Sequence, residues 1–262
     1  MTGTDVTHAP KHRLGVEHDG HVAIVEFSHG PHNHLVPGLV AALADRLEAL
    51  DGDDNCRAIV LASEGRSFCA GADFAAAPAG ERPDPEAFYT QAMRLFDGRK
   101  PIVAAVHGAA IGAGLGLAMV ADFRVGCEAA RFSANFNRLG IHPGFGLSLT
   151  LPRLVGMQQA SLLFFTGRRI DGQEAHRIGL VDVLVDAEAV RRQSIALAHE
   201  IATSAPLAVQ STRASLRAAL AAQVREANRT ELQAQRHQFA SADFREGVAA
   251  MAARRQPVFT RC

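Results

Sequence analysis

The chain has 262 residues, 48% hydrophobic and 21% charged, a balance that suits one large soluble domain, or one domain with a small appendage, around a sizeable core. Lys plus Arg and Asp plus Glu both total 27, so no global field favours nucleic acid or a membrane surface; with Lys11 and Lys100 the only lysines, an anionic ligand must be held by local arginines or backbone amides. Cys56, Cys69, Cys127 and Cys262 are widely spaced without a C-x-x-C pair, which argues against a zinc site or a disulfide framework and fits a reducing cytosol.

The first 14 residues lack the apolar core of a signal peptide and read as a flexible leader, and no apolar run approaches the roughly 20 residues of a transmembrane helix. A cytoplasmic protein without membrane partners is the expectation. "HVAIVEF" (His21 to Phe27), "RAIVLAS" (Arg57 to Ser63) and "PIVAAVHG" (Pro101 to Gly108) are short β-branched runs bounded by Gly, Pro or charge, and are predicted strands. From Pro37, Leu39, Val40, Ala44, Leu47 and Leu50 recur at helical spacing, and Gly52 sits where the helix would stop. This alternation predicts an α/β fold with a largely parallel sheet. From Leu149 the pattern turns to helix after helix, including "GQEAHRIGL" and the stretch from Ala187 to Ala240; Asp243 with Glu246 three residues on is the start signal of the last one. These helices are expected to cover the core or a neighbouring copy.

Two glycine-rich loops follow predicted strands directly: "GRSFCAGADF" (Gly65 to Phe74) and "HGAAIGAGLGLAMVADF" (His107 to Phe123). The carboxyl ends of parallel strands are where open α/β sheets bind ligands, and glycine there lets backbone N–H groups approach a bound atom. The second loop also opens a helix, whose first amides lack partners and carry partial positive charge. Together the loops can present two amides to one oxygen. "GAGLG" also suggests a dinucleotide fingerprint, but it lies mid-chain, lacks the full G-x-G-x-x-G spacing and has no acid in an obvious ribose position. Close packing of helix on sheet is the plainer use of either loop alone.

At these residues the sequence resembles the crotonase superfamily, which includes enoyl-CoA hydratases and isomerases. "SFCAGADF" is similar to its first oxyanion loop, "HGAAIGAGLGLAMVADFRV" to its second, "FTGRRIDGQEAHRIGLVDVLV" to a third signature and "DFREGVAAMAARRQPVF" to its C-terminal helix, so the resemblance runs from Gly15 to Phe259. It implies a ClpP/crotonase-like spiral of βαβ units over residues 15–200 and a C-terminal helical trimerisation region over 201–262. It also implies a homo-oligomer, trimer or dimer of trimers, and an acyl-CoA thioester as ligand, with coenzyme A part of the substrate rather than a prosthetic group. By motif position the amides of Ala72 and Ala113 would form the oxyanion hole. Pro31, His32, Asn33, His34 and Leu35, with Ala70, Gly71, Ala72, Asp73 and Phe74, would lie beside the coenzyme. Such reactions pass through a thioester enolate, and losing one preorganised donor to its oxygen typically costs about 100- to 1000-fold in rate.

Hydration also needs groups to activate water and to deliver a proton to carbon, each worth about 100- to 10,000-fold. The resemblance puts the two hydratase glutamates at Gly116 and Phe136, and the single acid of some isomerases at Gly144; all three acids are absent, and dehalogenase-type members lose support with the missing acid at this turn. Histidine titrates ordinarily nearest neutrality, which singles out His142 beside Pro143 as a replacement, although turn histidines commonly serve surface or packing roles. Asn135 and Asn137 can only orient water, His107 is placed to support the second loop, and Asp73 to cap a helix. Asp84, Glu86 and Tyr89, in the loop and helix from Pro78 to Phe96, are reserve proton carriers, against the plainer reading of a solvated acidic loop. Tyr89, Gly116, Phe136, Pro143 and Gly144 are the expected acyl-pocket wall. "HGPHNHL" puts three histidines in seven residues but joins no Cys or carboxylate at metal spacing, so no metal is expected. The candidate functions are an acyl-CoA hydratase or isomerase with non-standard proton carriers, a non-catalytic acyl-CoA binding protein, and another chemistry of the superfamily such as decarboxylation or hydrolysis.

Overall fold

The computed structural model describes residues 12–72 and 85–261; the leader before residue 12, Asp73, Phe74 and the stretch from Pro78 to Asp84 lie outside the described residues. The strands are β1 (Arg13–Asp19), β2 (Val22–Ser28), β3 (Ala58–Ser63), β4 (Ile102–Val106), β5 (Ala109–Ile111), β6 (Phe123–Gly126), β7 (Arg131–Ser133), β8 (Ile170–Asp171) and β9 (Val183–Leu184). The helices are α1 (Pro37–Asp51), α2 (Glu86–Arg94), α3 (Ala113–Ala118), α4 (Leu147–Val155), α5 (Met157–Thr166), α6 (Gly172–Arg177), α7 (Val190–Ala202), α8 (Pro206–Leu216), α9 (Leu220–Gln238) and α10 (Ala242–Ala252). A single-turn 3-10 helix covers Asn135–Leu139.

Six strands form one sheet in the order β1-β2-β3-β4-β6-β9, parallel at every pairing except β1 with β2. β3 and β4 are buried throughout, as continuous apolar runs in a sheet covered on both faces must be. The hairpin strand β1 is the exception, with only Leu14 and Val16 turned toward the core, and it begins inside the expected leader. Its alternation is short and flanked by charge, which hides it in the sequence. α1 starts on Pro37, where a missing N–H is harmless, and ends on Gly52 as expected.

β5, β7 and β8 make a second, small sheet. The chain leaves the first sheet at Val106 and enters the second at Ala109, so His107 and Gly108 mark the point where it changes sheets, at the carboxyl end of β4. α7 lies across β2, β3, β4 and β6, and α10 packs on the 3-10 turn. The start of α10 differs from expectation: Ser241 is the cap, its Oγ accepting from the Phe244 amide at 3.0 Å. Asp243 instead accepts from the Thr260 and Arg261 amides at 2.7 and 3.0 Å and ties down the chain beyond the helix. No helix among the described residues is long and apolar enough to cross a membrane.

Candidate active site

The first glycine loop is zipped to the second. Cys69 N–H donates to Ala109 O at 2.8 Å, and Ile111 N–H donates back to Cys69 O at 3.0 Å, which extends β5 by one bridge. Only glycine permits so close an approach. Gly71 has φ +99°, and a Cβ there would lie 2.8 Å from Ile111 O and 3.7 Å from Ala113 N; a Cβ at Gly114 would overlap the Cys69 carbonyl. Burial pushes the Cys69 thiol up to about 12, so it stays a neutral packing group. His107 supports the first loop rather than the second, its Nε2 lying 3.0 Å from Gly65 O.

The segment from Pro31 to Leu35 closes the other side. Ala70 N–H donates to His32 O at 3.0 Å and Leu35 N–H to Gly71 O at 2.8 Å. Asn33 fixes this segment: it sits at φ +54°, fully buried, its Oδ1 accepting from His29 N–H at 2.8 Å and its Nδ2 donating to Glu64 O and Ser67 O at 2.6 and 2.8 Å.

A cavity of about 430 Å³ opens between these loops, lined by His32, His34, Ser67, Ala70, Gly71 and Ala72 on one side and by Ala109, Ile111, Gly112, Ala113, Asn135 and Phe136 on the other. Tyr89, Leu139, Arg169 and Met251 also line it. Among the described residues the amides of Ala72 and Ala113 have no acceptor, and no carboxylate lines the cavity. His34 Nδ1 is buried there without a partner. No group of three or more His, Cys, Asp or Glu among the described residues is placed to hold a metal ion.

The expected wall residues divide. Tyr89 and Phe136 line the cavity, whereas Gly116, Pro143 and Gly144 are buried and do not. The space beside Gly116 is filled, because a Cβ there would lie 2.6 Å from both Cβ and Cγ of Phe145, itself wholly buried at φ +65°. The space beside Gly144 is filled too: a Cβ would overlap the Tyr89 hydroxyl and come 2.7 Å from Gln235 Nε2. His142 does not line the cavity, and its Nδ1 lies 2.8 Å from Pro143 O. Of the expected coenzyme contacts, His32, His34, Ala70, Gly71 and Ala72 line the cavity; Pro31, Asn33 and Leu35 do not, and Asp73 and Phe74 lie outside the described residues.

What the sequence reading missed is the polar face of α9. Gln238 Oε1 accepts from His142 N–H at 2.6 Å, and Gln235 Nε2 donates to His142 O at 2.8 Å. Glu231, wholly buried, accepts from Gly146 N–H (2.8 Å), Ser148 N–H (2.9 Å), Ser148 Oγ (2.6 Å) and Asn228 Nδ2 (3.2 Å). The carboxylate behind this turn therefore comes from α9 and serves as the anion at the start of α4. Asn228, Glu231, Gln235 and Gln238 recur at helical spacing, the one signal that marks them. Burial pushes the Tyr89 phenol up from its ordinary value; the Gln235 hydrogen bond opposes this and the Glu231 charge adds to it.

Known proteins share this architecture. The family model described as enoyl-CoA hydratase/isomerase matches residues 17–261. The chain is 34% identical over 228 residues to the 1,2-epoxyphenylacetyl-CoA isomerase of Escherichia coli K12, covering 84% of this chain and 87% of that protein. It is 34% identical over 232 residues to the crotonyl-CoA hydratase of Syntrophomonas wolfei, covering 87% and 89%. The crystal structure of an enoyl-CoA hydratase/isomerase from Pseudoalteromonas atlantica T6c superposes with a TM-score of 0.85 at 33% identity, over 94% of this chain and 99% of that one. Fold and sequence agree, and the chain belongs to the enoyl-CoA hydratase/isomerase family, with the crotonase fold.

Proposed function

We propose that the cavity binds an acyl-CoA thioester, that the amides of Ala72 and Ala113 receive the thioester oxygen as enolate charge develops, and that the protein is an enoyl-CoA hydratase or isomerase. The observation that carries this reading is that two amides without an acceptor among the described residues, one from each zipped loop, lie in the wall of one cavity. Coenzyme A enters as part of the substrate, running past His32, His34 and Ala70. The crotonyl-CoA hydratase and the epoxyphenylacetyl-CoA isomerase among the relatives make short-chain and aryl enoyl thioesters the first substrates to try.

The test is loss of the conjugated thioester absorbance across a chain-length panel of enoyl-CoAs, followed by Ala113→Pro. Proline is tolerated at the first position of a helix and replaces the N–H with a ring CH2, so α3 should survive while turnover falls about 100- to 1000-fold. Turnover unchanged in that variant would refute the amide role.

A second reading is favoured by one observation: Phe145 and the Tyr89 hydroxyl fill the spaces beside Gly116 and Gly144, and Phe136 is apolar. On that reading the protein binds acyl-CoA without turning it over. Calorimetry that finds binding across the panel, with no turnover, would decide for it.

A further inference from the structure

Only a few protic side chains reach the cavity among the described residues: His32, His34, Ser67, Tyr89, Asn135 and Arg169. His32 and Arg169 are exposed, and Ser67 is turned toward the segment from Pro31 to Leu35, its Oγ 3.5 Å from His32 Nδ1. Tyr89 differs in being held. It is 6% exposed, its ring packs edge-on against Phe88 with centroids 5.2 Å apart, and its hydroxyl and Gln235 Nε2 meet in the same space beside Gly144. The orientation of the Gln235 amide is settled by a third group. Its Nε2 donates to His142 O at 2.8 Å, which turns the N–H side of the amide toward the Tyr89 hydroxyl and leaves Oε1 without a partner among the described residues. A donor group on that side leaves the tyrosine oxygen to accept and its own hydrogen free for a ligand in the cavity.

Resting on the thioester reading above, we propose that the Tyr89 hydroxyl is the proton donor to the α carbon of the bound enolate, with Gln235 as the positioning residue that aims it. For hydration the balance is as follows. A water oxygen bonds to the β carbon, and the alkene pair moves into the enolate held by the two amides. The enolate pair then takes the proton from Tyr89 Oη, and the phenolate takes the proton released by the added water. One water is added and the phenol is restored, with no carboxylate required. Burial keeps the phenol protonated through the neutral range, which suits a donor. Glu231 on α9 is the charged group that acts on Tyr89; Arg236 on α9, His142 in the turn and Asp45 and Glu48 on α1 have other partners. Arg236 pairs with Glu86, Asp45 and Glu48 bond Arg94, and His142 Nδ1 lies against Pro143 O.

Tyr89 is the single tyrosine of the chain, so biosynthetic replacement of tyrosine by difluorotyrosine alters this hydroxyl alone. With crotonyl-CoA as substrate, Tyr89→Phe should lower kcat about 100-fold or more while KM and butyryl-CoA affinity by calorimetry stay within about threefold. The difluorotyrosine protein, whose phenol is more acidic but still shaped to fit, should lose activity at a lower pH than the parent on the alkaline side, a shift that a packing role would not produce. A Tyr89→Phe variant within about threefold of the parent in kcat, or an unmoved alkaline limb in the fluorinated protein, overturns the proposal and leaves the amide reading standing. A parent that binds butyryl-CoA but hydrates nothing overturns both the proton step and the catalytic reading; a parent that binds no thioester overturns the cavity assignment itself.

Discussion

Gly116 and Gly144 look in the sequence like two vacated acid positions, yet neither has room for an acid. Phe145 stands in one place and the Tyr89 hydroxyl in the other. Gly116→Glu should therefore not restore hydratase chemistry. It should overpack the core and destabilise the fold by about 3 kcal/mol, read as a lower urea midpoint, with no gain in turnover. A stable, faster variant would show that Phe145 yields easily. The sequence marks these glycines because they fall at motif positions, but it does not show what occupies the space beside them. Both occupants arrive from distant parts of the chain, and contacts of that kind leave no local period to read. The same limit explains His142: its titration chemistry drew attention, while its ring bonds Pro143 O outside the cavity wall.

At the scale of elements, α9 holds the turn between the 3-10 helix and α4. Glu231 satisfies the first amides of α4, so Glu231→Ala should cost about 3 kcal/mol, because it leaves Gly146 N–H, Ser148 N–H and Asn228 without their charged acceptor in a buried place. Denaturant unfolding measures the loss; a change under about 0.5 kcal/mol would contradict the capping role. Near the chain's end, the Arg255 hydrogen bond and then the Val258 amide hold Glu246 down to about 2. A carboxylate depressed in the folded state contributes above its ordinary value of 4.5 and ceases to as pH falls through about 2. The Val258 amide signal should therefore keep its position above the ordinary value and move only on acidification below it. The strands bounded by Gly and Pro and the start and stop of α1 were legible from local chemistry. β1 and the true cap of α10 were not, since a short alternation and a choice between two cap-forming residues are decided by tertiary contacts.

Across the whole molecule, one ion cluster ties the C-terminal helices to the sheet. Buried Arg124 donates to Asp182 at 2.8 Å and to Leu180 O at 2.7 Å, while Asp122 takes Arg213 and Arg217 from the α8 region at 2.9 and 2.8 Å. Asp182→Ala leaves a buried guanidinium short of its counter-charge and should cost on the order of 3 kcal/mol in unfolding free energy. The same α8 surface presents Leu207 and Leu216, 79% and 73% exposed, beside Phe123. We propose this apolar face as a contact between copies in the expected homo-oligomer. Leu207→Asp with Leu216→Asp should shift sedimentation toward the monomer. The alternating strands and helices and the four ordered motifs made the fold and family legible in the sequence, because they are spread along nearly the whole chain; the closure of the cavity by Arg169 and Met251 depends on packing that no motif states.

The central claim, that the Ala72 and Ala113 amides receive a thioester oxygen, is tested most directly by isotope-edited infrared spectroscopy of butyryl-CoA labelled at its carbonyl carbon. Two preorganised donors should move the carbonyl stretch of the bound thioester to lower frequency than in water, and Ala113→Pro should reverse much of that shift. A bound thioester whose carbonyl absorbs where it does in water, or a shift indifferent to Ala113→Pro, would contradict the account.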